Sequence, residues 1–191
     1  MDKLDLHPSA NTHLAETRQD SKLAYDGAFL KVQQDRVLLP DGKTTIREYV
    51  KHPGAVVILP VFDDGSVLLE RQYRYPLDLV FIEFPAGKID PGEEPLVTAK
   101  RELLEETGYT ATDWRYLCTI HNAIAYSDEH LDIFLARGLT AGVAALDDGE
   151  FLETFKAPLA DLLQWIKAGK VTDVKTVIGS FWLEKILAEK W

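Results

Sequence analysis

The stretch GKIDPGEEPLVTAKRELLEETGY, residues 87–109, places Glu102, Glu105 and Glu106 within one short run that reads as helix. Pro95 suits a first helical turn and Gly108 a left-handed stop, so the spacing predicts a helix over 95–108. Wound at about 100° per residue, Leu96, Ala99 and Leu103 share one arc, with Val97 and Leu104 beside it. That arc is the expected buried stripe. Glu102, Glu105 and Glu106 then form an acidic ridge on the other side, flanked by Arg101. Like charges at i,i+4 destabilise a helix by about 0.2–0.5 kcal/mol per pair, so something should compensate. A solvated charged face is one reading. A divalent-cation site is the other, because hard cations take carboxylate oxygens together with substrate phosphates. The helix alone leaves both open.

Working outward, residues 1–20 are polar and aperiodic and are expected to form a flexible arm. Residues 21–50 read as strand, turn, strand around Pro40-Asp41-Gly42, a small β subdomain. The main domain is expected over 51–191. It opens with apolar strands on either side of Asp64-Gly65 and a short strand entering the Gly/Pro-rich loop before the acidic helix. Strands follow in WRYLCTIHNAI and HLDIFLARGL. APLADLLQWIKAG and DVKTVIGSFWLEKILAEKW repeat their apolar residues at helical spacing, with Trp165, Trp182 and Trp191 expected in packing roles. The pattern is α/β, a mixed sheet with helices packed against it.

The formal net charge is −10, which argues against nucleic acid and anionic membrane as partners, both being polyanions. Cys118 is the only cysteine, so an intramolecular disulfide and a cysteine-rich zinc site are excluded. It reads as a small buried apolar residue in the strand-like WRYLCTI. The first twenty residues lack the apolar core of a signal peptide, and no apolar run approaches a membrane span. The chain is therefore expected to be cytoplasmic.

The residues around the helix decide between its two readings. Gly87 is followed at set intervals by Glu93, Arg101-Glu102, Leu103, Glu105-Glu106, Gly108 and Tyr109. The order resembles the Nudix box, G-x5-E-x7-R-E-U-x-E-E-x-G-U with U a bulky apolar residue, departing only in having an aromatic Tyr109 at the last position. The resemblance to Nudix hydrolases implies an α/β/α sandwich around a mixed sheet. It implies Mg²⁺, or Mn²⁺, held by Glu102, Glu105, Glu106 and the carbonyl of Ala86. Gly87, Glu93, Arg101 and Gly108 would be structural, with Glu93 and Arg101 pinning loop to helix.

HPGAVVILPVFDDGSVLLERQYRYP, EFPAGKIDPGEE and the C-terminal tail resemble the ADP-ribose and nucleoside diphosphate sugar pyrophosphatase branch. That branch implies hydrolysis of a nucleoside diphosphate sugar, with ADP-ribose or a GDP-mannose-type sugar as substrate, and a homodimer built through the N-terminal strands. Phe29 could stack on the base or simply pack. Arg71 and Arg74 are candidate diphosphate or ribose contacts, since guanidinium pairs bidentately with phosphate, or else lie on a solvent face of their strand. Glu83 is a further polar candidate. A general base is expected on the acidic loop LDDGEFLE, residues 146–153, with Glu150 first, then Glu153 and Asp148; Glu105 is a further catalytic candidate. Ser127 and Glu129 are substrate-contact candidates whose alternative is to cap a turn beside Asp128.

Overall fold

The structure, a computed structural model, describes residues 4–191. The expected arm over 1–20 lies in part outside the described residues. The chain divides into two compact units. One runs to His52 and takes in Ala123–Glu129; the other comprises Pro53–Asn122 and His130–Trp191.

The first unit is a three-stranded antiparallel sheet in the order β1 (Thr17–Asp26), β2 (Lys31–Leu38), β3 (Thr44–Lys51). β1 begins at Thr17, inside the span expected to be an arm. All of its residues are exposed, so no buried apolar alternation marks it in the sequence; it is held by the ladder to β2 and by the Asp20–Arg36 and Ser21–Asp35 side-chain contacts across that pair. At the turn between β2 and β3, Gly42 has φ 84° and the Asp41 carboxylate accepts from the Lys43 N–H at 3.0 Å. The 123–129 segment docks on the end of β3. Val50 N–H donates to the Tyr126 carbonyl at 2.8 Å, and the Asp128 carboxylate accepts from His52 N–H at 2.9 Å while pairing with Lys51.

The second unit is built from β4 (Ala55–Pro60), β5 (Ser66–Arg74), β6 (Leu79–Glu83), β7 (Ala86–Lys88), α1 (Pro95–Thr107), β8 (Tyr109–Thr110), β9 (Asp113–Ile120), β10 (Leu131–Arg137), β11 (Thr140–Ala141), β12 (Leu152–Pro158), α2 (Leu159–Lys167) and α3 (Val174–Leu187). A mixed four-stranded sheet runs β7-β4-β10-β9, with β4 and β10 parallel. An antiparallel sheet runs β12-β5-β6, and β11 pairs with β8.

Every residue of β4 is buried, as a strand covered on both faces must be. The pleat sends alternate side chains to opposite faces. Val56 and Ile58, with Phe134 and Ala136 of β10, pack against Ala99 and Leu103 of α1. Val57 and Leu59, with Ile133 and Leu135, pack against Val67 and Leu69 of β5, Leu162 of α2 and Leu183 of α3. Helices therefore cover both faces of the sheet, the layered α/β arrangement expected from the sequence. Trp165, Trp182 and Cys118 pack at the edge of the second core, while Trp191 is exposed with its ring edge against Trp182.

α1 departs from its expected orientation in one respect. Leu96, Val97 and Leu104 are exposed, whereas Thr98, Ala99, Leu103, Glu106 and Thr107 are buried. On the helical wheel Glu106 lies only about 20° from Ala99, so the buried arc is centred nearer the glutamates than the apolar residues suggest. The three glutamates do not form one solvent-facing ridge: Glu106 is inside.

Candidate active site

The loop before α1 is tied to the helix by one guanidinium. Arg101 Nη2 and Nε donate to the Glu93 carboxylate at 3.0 and 3.3 Å, and Arg101 Nη1 donates to Glu102 and Glu105 at 2.9 Å each. Thr98 Oγ1 also donates to Glu93 at 2.8 Å. These partners, Glu93 first, raise the Arg101 pKa and hold that of Glu93 below the usual carboxylate range. At the far end Gly108 closes the helix with φ 73° and its N–H on the Leu104 carbonyl.

β7 lies directly under the glutamates. A Cβ on Gly87 would stand 1.9 Å from Cδ of Glu102, so the absence of a side chain is what lets Glu102 lie across the strand. Ala86 N–H donates to Glu106 Oε2 at 3.2 Å, placing the Ala86 backbone beside that carboxylate. Glu102 and Glu106 both titrate high. Burial is the main cause for each, and the neighbouring Glu70, Glu102 and Glu150 charges help push Glu106 up to about 10.

β5 supplies a face that the sequence reading did not use. Glu70 is wholly buried, and among the described residues neither of its carboxylate oxygens has a hydrogen-bond partner. Its pKa is pushed up to about 8 by burial, against the pull of Lys175 and Arg74. Glu70, Gln72 and Arg74 follow one another at alternate positions and so share one face. Arg74 donates from Nε and Nη2 to the two oxygens of buried Glu83, at 2.6 and 2.8 Å, and Lys175 pairs with Glu83 as well. Burial raises the Glu83 pKa, but Arg74 and Lys175 outweigh it and hold the group ionised below its ordinary value. Asp173, which caps α3 by accepting from Thr176 N–H at 2.9 Å, completes the set 3.2 Å from Lys175 Nζ.

Glu150 lies in the acidic loop expected to carry the base, with Oε1 3.5 Å from Gln72 Nε2. Its charge acts on Glu70, Glu102 and Glu106 alike, so the loop carboxylate lies within electrostatic reach of the glutamates of α1. Glu153 lies inside β12, not in the loop. It stands opposite Arg71 in register, 3.6 Å away, with both side chains more than half exposed. Arg71 points to the face away from Glu70. Arg74 and Glu83 are turned toward each other, with Glu83 buried and the Arg74 side chain part-exposed.

In the first unit, Phe29 is exposed in the connection between β1 and β2. Ser127 Oγ accepts from Glu129 N–H at 3.1 Å and donates to the Val50 carbonyl at 3.4 Å. Glu129 stands 3.7 Å from His52 Nδ1. These contacts close the turn of the 123–129 segment, the alternative weighed for these two residues.

Among the described residues no three His, Cys, Asp or Glu side chains already converge on one point, and Arg101 holds Glu102 and Glu105. The donor set is nevertheless the one a hard divalent cation takes: all oxygen, with Glu102 laid over Gly87, Glu106 buried beside the Ala86 backbone, and Glu70 unpartnered. Glu70 and Lys175 escaped the sequence reading. The available signal was a charged residue at the end of the apolar run SVLL; for Lys175, 92 residues from Glu83, there was none.

Residues 51–176 match the NUDIX domain, and residues 16–50 match the nucleoside diphosphate sugar hydrolase N-terminal domain. The chain is 39% identical over 162 residues to the ADP-ribose pyrophosphatase of Bacillus subtilis, covering 84% of this chain and 88% of that protein. The methanol dehydrogenase activator of Bacillus methanolicus matches at the same identity and coverage. Among solved structures, an ADP compounds hydrolase superposes with TM-score 0.83 at 25% identity, covering 93% of this chain and 97% of the other.

Proposed function

The chain belongs to the Nudix hydrolase family, and from that premise we propose that it hydrolyses the diphosphate bond of ADP-ribose or a closely related nucleoside diphosphate sugar. The products are a nucleoside monophosphate and a sugar phosphate. The observation that carries the reading is the carboxylate set itself, Glu102 laid over Gly87 and Glu106 on the Ala86 N–H, with Glu150 of the acidic loop 3.5 Å from Gln72 on the β5 face that also carries Glu70. The relatives named ADP-ribose pyrophosphatase support the choice of substrate.

Glu102, Glu106, the Ala86 carbonyl and, once released by Arg101, Glu105 are the groups that would hold the ion, for which Mg²⁺ is proposed and Mn²⁺ a substitute. Bound there, it would neutralise the diphosphate and acidify a water molecule. Glu150 accepts the proton of the attacking water. The water oxygen bonds to one phosphorus, and the bridging P–O bond breaks with its electron pair leaving on the other phosphate. Glu153, spent on Arg71 at the surface, is set aside as base. Phe29 remains the proposed base-stacking residue, and Arg74, part-exposed on the face of β5 that carries Glu70, the proposed diphosphate contact.

A homodimer formed through the N-terminal sheet is part of the reading. Its support is the exposure of Leu23, Tyr25, Phe29, Leu30 and Ile46 on a unit of only three strands, a concentration that a second chain would cover. A reducing, cytoplasmic location accords with an unpaired Cys118.

The test is chromatographic product analysis with Mg²⁺ on ADP-ribose, GDP-mannose, UDP-glucose, NADH and diadenosine polyphosphates. AMP release from ADP-ribose with the highest kcat/KM of the panel is the expected result. Preference for GDP-mannose would replace the substrate, and turnover of none would overturn the reading.

A further inference from the structure

We propose that Glu70 is an additional carboxylate of the cation site, reaching it from the central strand of the β12-β5-β6 sheet and binding a divalent metal ion together with Glu106. The inference rests on the cation site of the proposed reading but adds a residue outside the box that defines the family.

The argument starts from where Glu70 is. It is held in register on both sides, opposite Glu83 of β6 and Thr154 of β12, so its backbone cannot shift to relieve its side chain. It follows the buried run Val67–Leu69 and is itself wholly buried. A buried ionised carboxylate is tolerated where it is paired or coordinates a metal. Glu70 has neither oxygen partnered among the described residues.

The nearby cations are committed elsewhere. Arg74 spends two donors on Glu83, and Lys175 lies between Glu83 and Asp173. The other groups whose charge bears on Glu70 are the carboxylates Glu83 and Glu150, and Glu70 in turn is the first of the carboxylates bearing on Glu106. Glu83, opposite Glu70 in register, lies three residues before Ala86, whose N–H holds Glu106, so two buried acids meet the same stretch of chain and both oxygens of Glu70 are left over for a ligand. Among the described residues no cation hydrogen-bonds either oxygen of Glu70. A divalent ion supplies the missing charge and takes the two unsatisfied oxygens as ligands.

The test uses the full chain stripped with EDTA, with Mn²⁺ as probe, bound ion measured by calorimetry and by the electron paramagnetic resonance of free Mn²⁺. Glu70→Gln keeps the volume and removes the charge; it should weaken Mn²⁺ binding by about tenfold or more and shrink the rise in Tm that Mn²⁺ produces. Glu70→Asp, which keeps the charge on a shorter arm, should also bind more weakly, and it stands in should the Gln variant not fold. Unchanged Mn²⁺ binding by either folded variant overturns the proposal. If the wild type hydrolyses ADP-ribose and the variants bind Mn²⁺ as it does, this inference falls and the proposed function stands. If Mn²⁺ binding depends on Glu70 while no diphosphate in the panel is cleaved, the reverse holds.

Discussion

Glu102 lies against the bare Cα of Gly87, so closely that a Cβ there would fall 1.9 Å from its Cδ and 2.0 Å from its Oε1. Gly87 is not among the residues with positive φ. The glycine is required for approach, and backbone conformation has no part in it. Gly87→Ala should leave the fold intact while swinging Glu102 aside. A displacement of about 1 Å at a reacting centre can cost on the order of a hundredfold in rate, and that is the fall in kcat expected. Steady-state kinetics beside a circular dichroism spectrum check it; an Ala variant with wild-type kcat would show that Glu102 does not act from this position.

Glu150 and Glu153 are close in sequence but differ in surroundings. Glu150 lies within electrostatic reach of the α1 glutamates, while Glu153 forms a surface pair with Arg71. A general base contributes roughly 10²–10⁴ in rate, so Glu150→Gln should lower kcat within that range and leave KM nearly unchanged. Glu153→Gln removes an exposed pair worth about 0–1 kcal/mol and should alter neither parameter more than about twofold. The pair of kinetic profiles decides the assignment: equal losses, or a larger one at Glu153, would reverse it.

How far the sequence reaches can be judged on the same residues. Pro95 and Gly108 bracket α1 because each is read by local backbone chemistry, and the run AVVILP announces a strand buried on both faces. The direction of Glu106 was misjudged because hydrophobicity alone centred the buried arc on Leu96 and Leu103. The actual centre is set by β7, where the glycine leaves room for carboxylates. β1 hides because an exposed edge strand needs no apolar alternation. Glu70 looks like the polar end of a strand until β6 and β12 are seen on either side and α1 closes over it. Ion pairs such as Glu83–Lys175 join residues too far apart in sequence for spacing to reveal.

The raised carboxylates make a pH signature in the metal-free protein. Glu70 titrates at about 8 and Glu106 at about 10, against an ordinary value of 4.5. Between 4.5 and those values the folded state binds more protons than the unfolded chain, so stability falls as pH rises. The contribution is complete below about pH 4.5 and is lost through pH 8 to 10. With EDTA, Tm should decline steadily from pH 6 to pH 9; saturating Mg²⁺, which stabilises the ionised carboxylates, should flatten the decline. A metal-free Tm that is level or rises across that window would refute the buried-acid account.

Lys175 stands between Glu83 and Asp173 with little solvent access, and its charge also bears on Glu70. Lys175→Met keeps most of the volume but leaves Arg74 as the only cation beside two buried glutamates. Removing one partner of a buried pair costs about 3–5 kcal/mol; Arg74 retains part of the interaction, so about 3 kcal/mol is expected at the low end of that range. For a chain of this size that is a fall in Tm of roughly 6–12 °C. Adding Glu70→Leu to the same chain removes one of the two buried acids, and replacing buried polar or ionic groups by apolar ones is often neutral. The double variant in EDTA should therefore regain part of the lost Tm. Because the two side chains share one charge network, the cycle should show a non-zero coupling. Strict additivity would mean that Lys175 serves Glu83 alone.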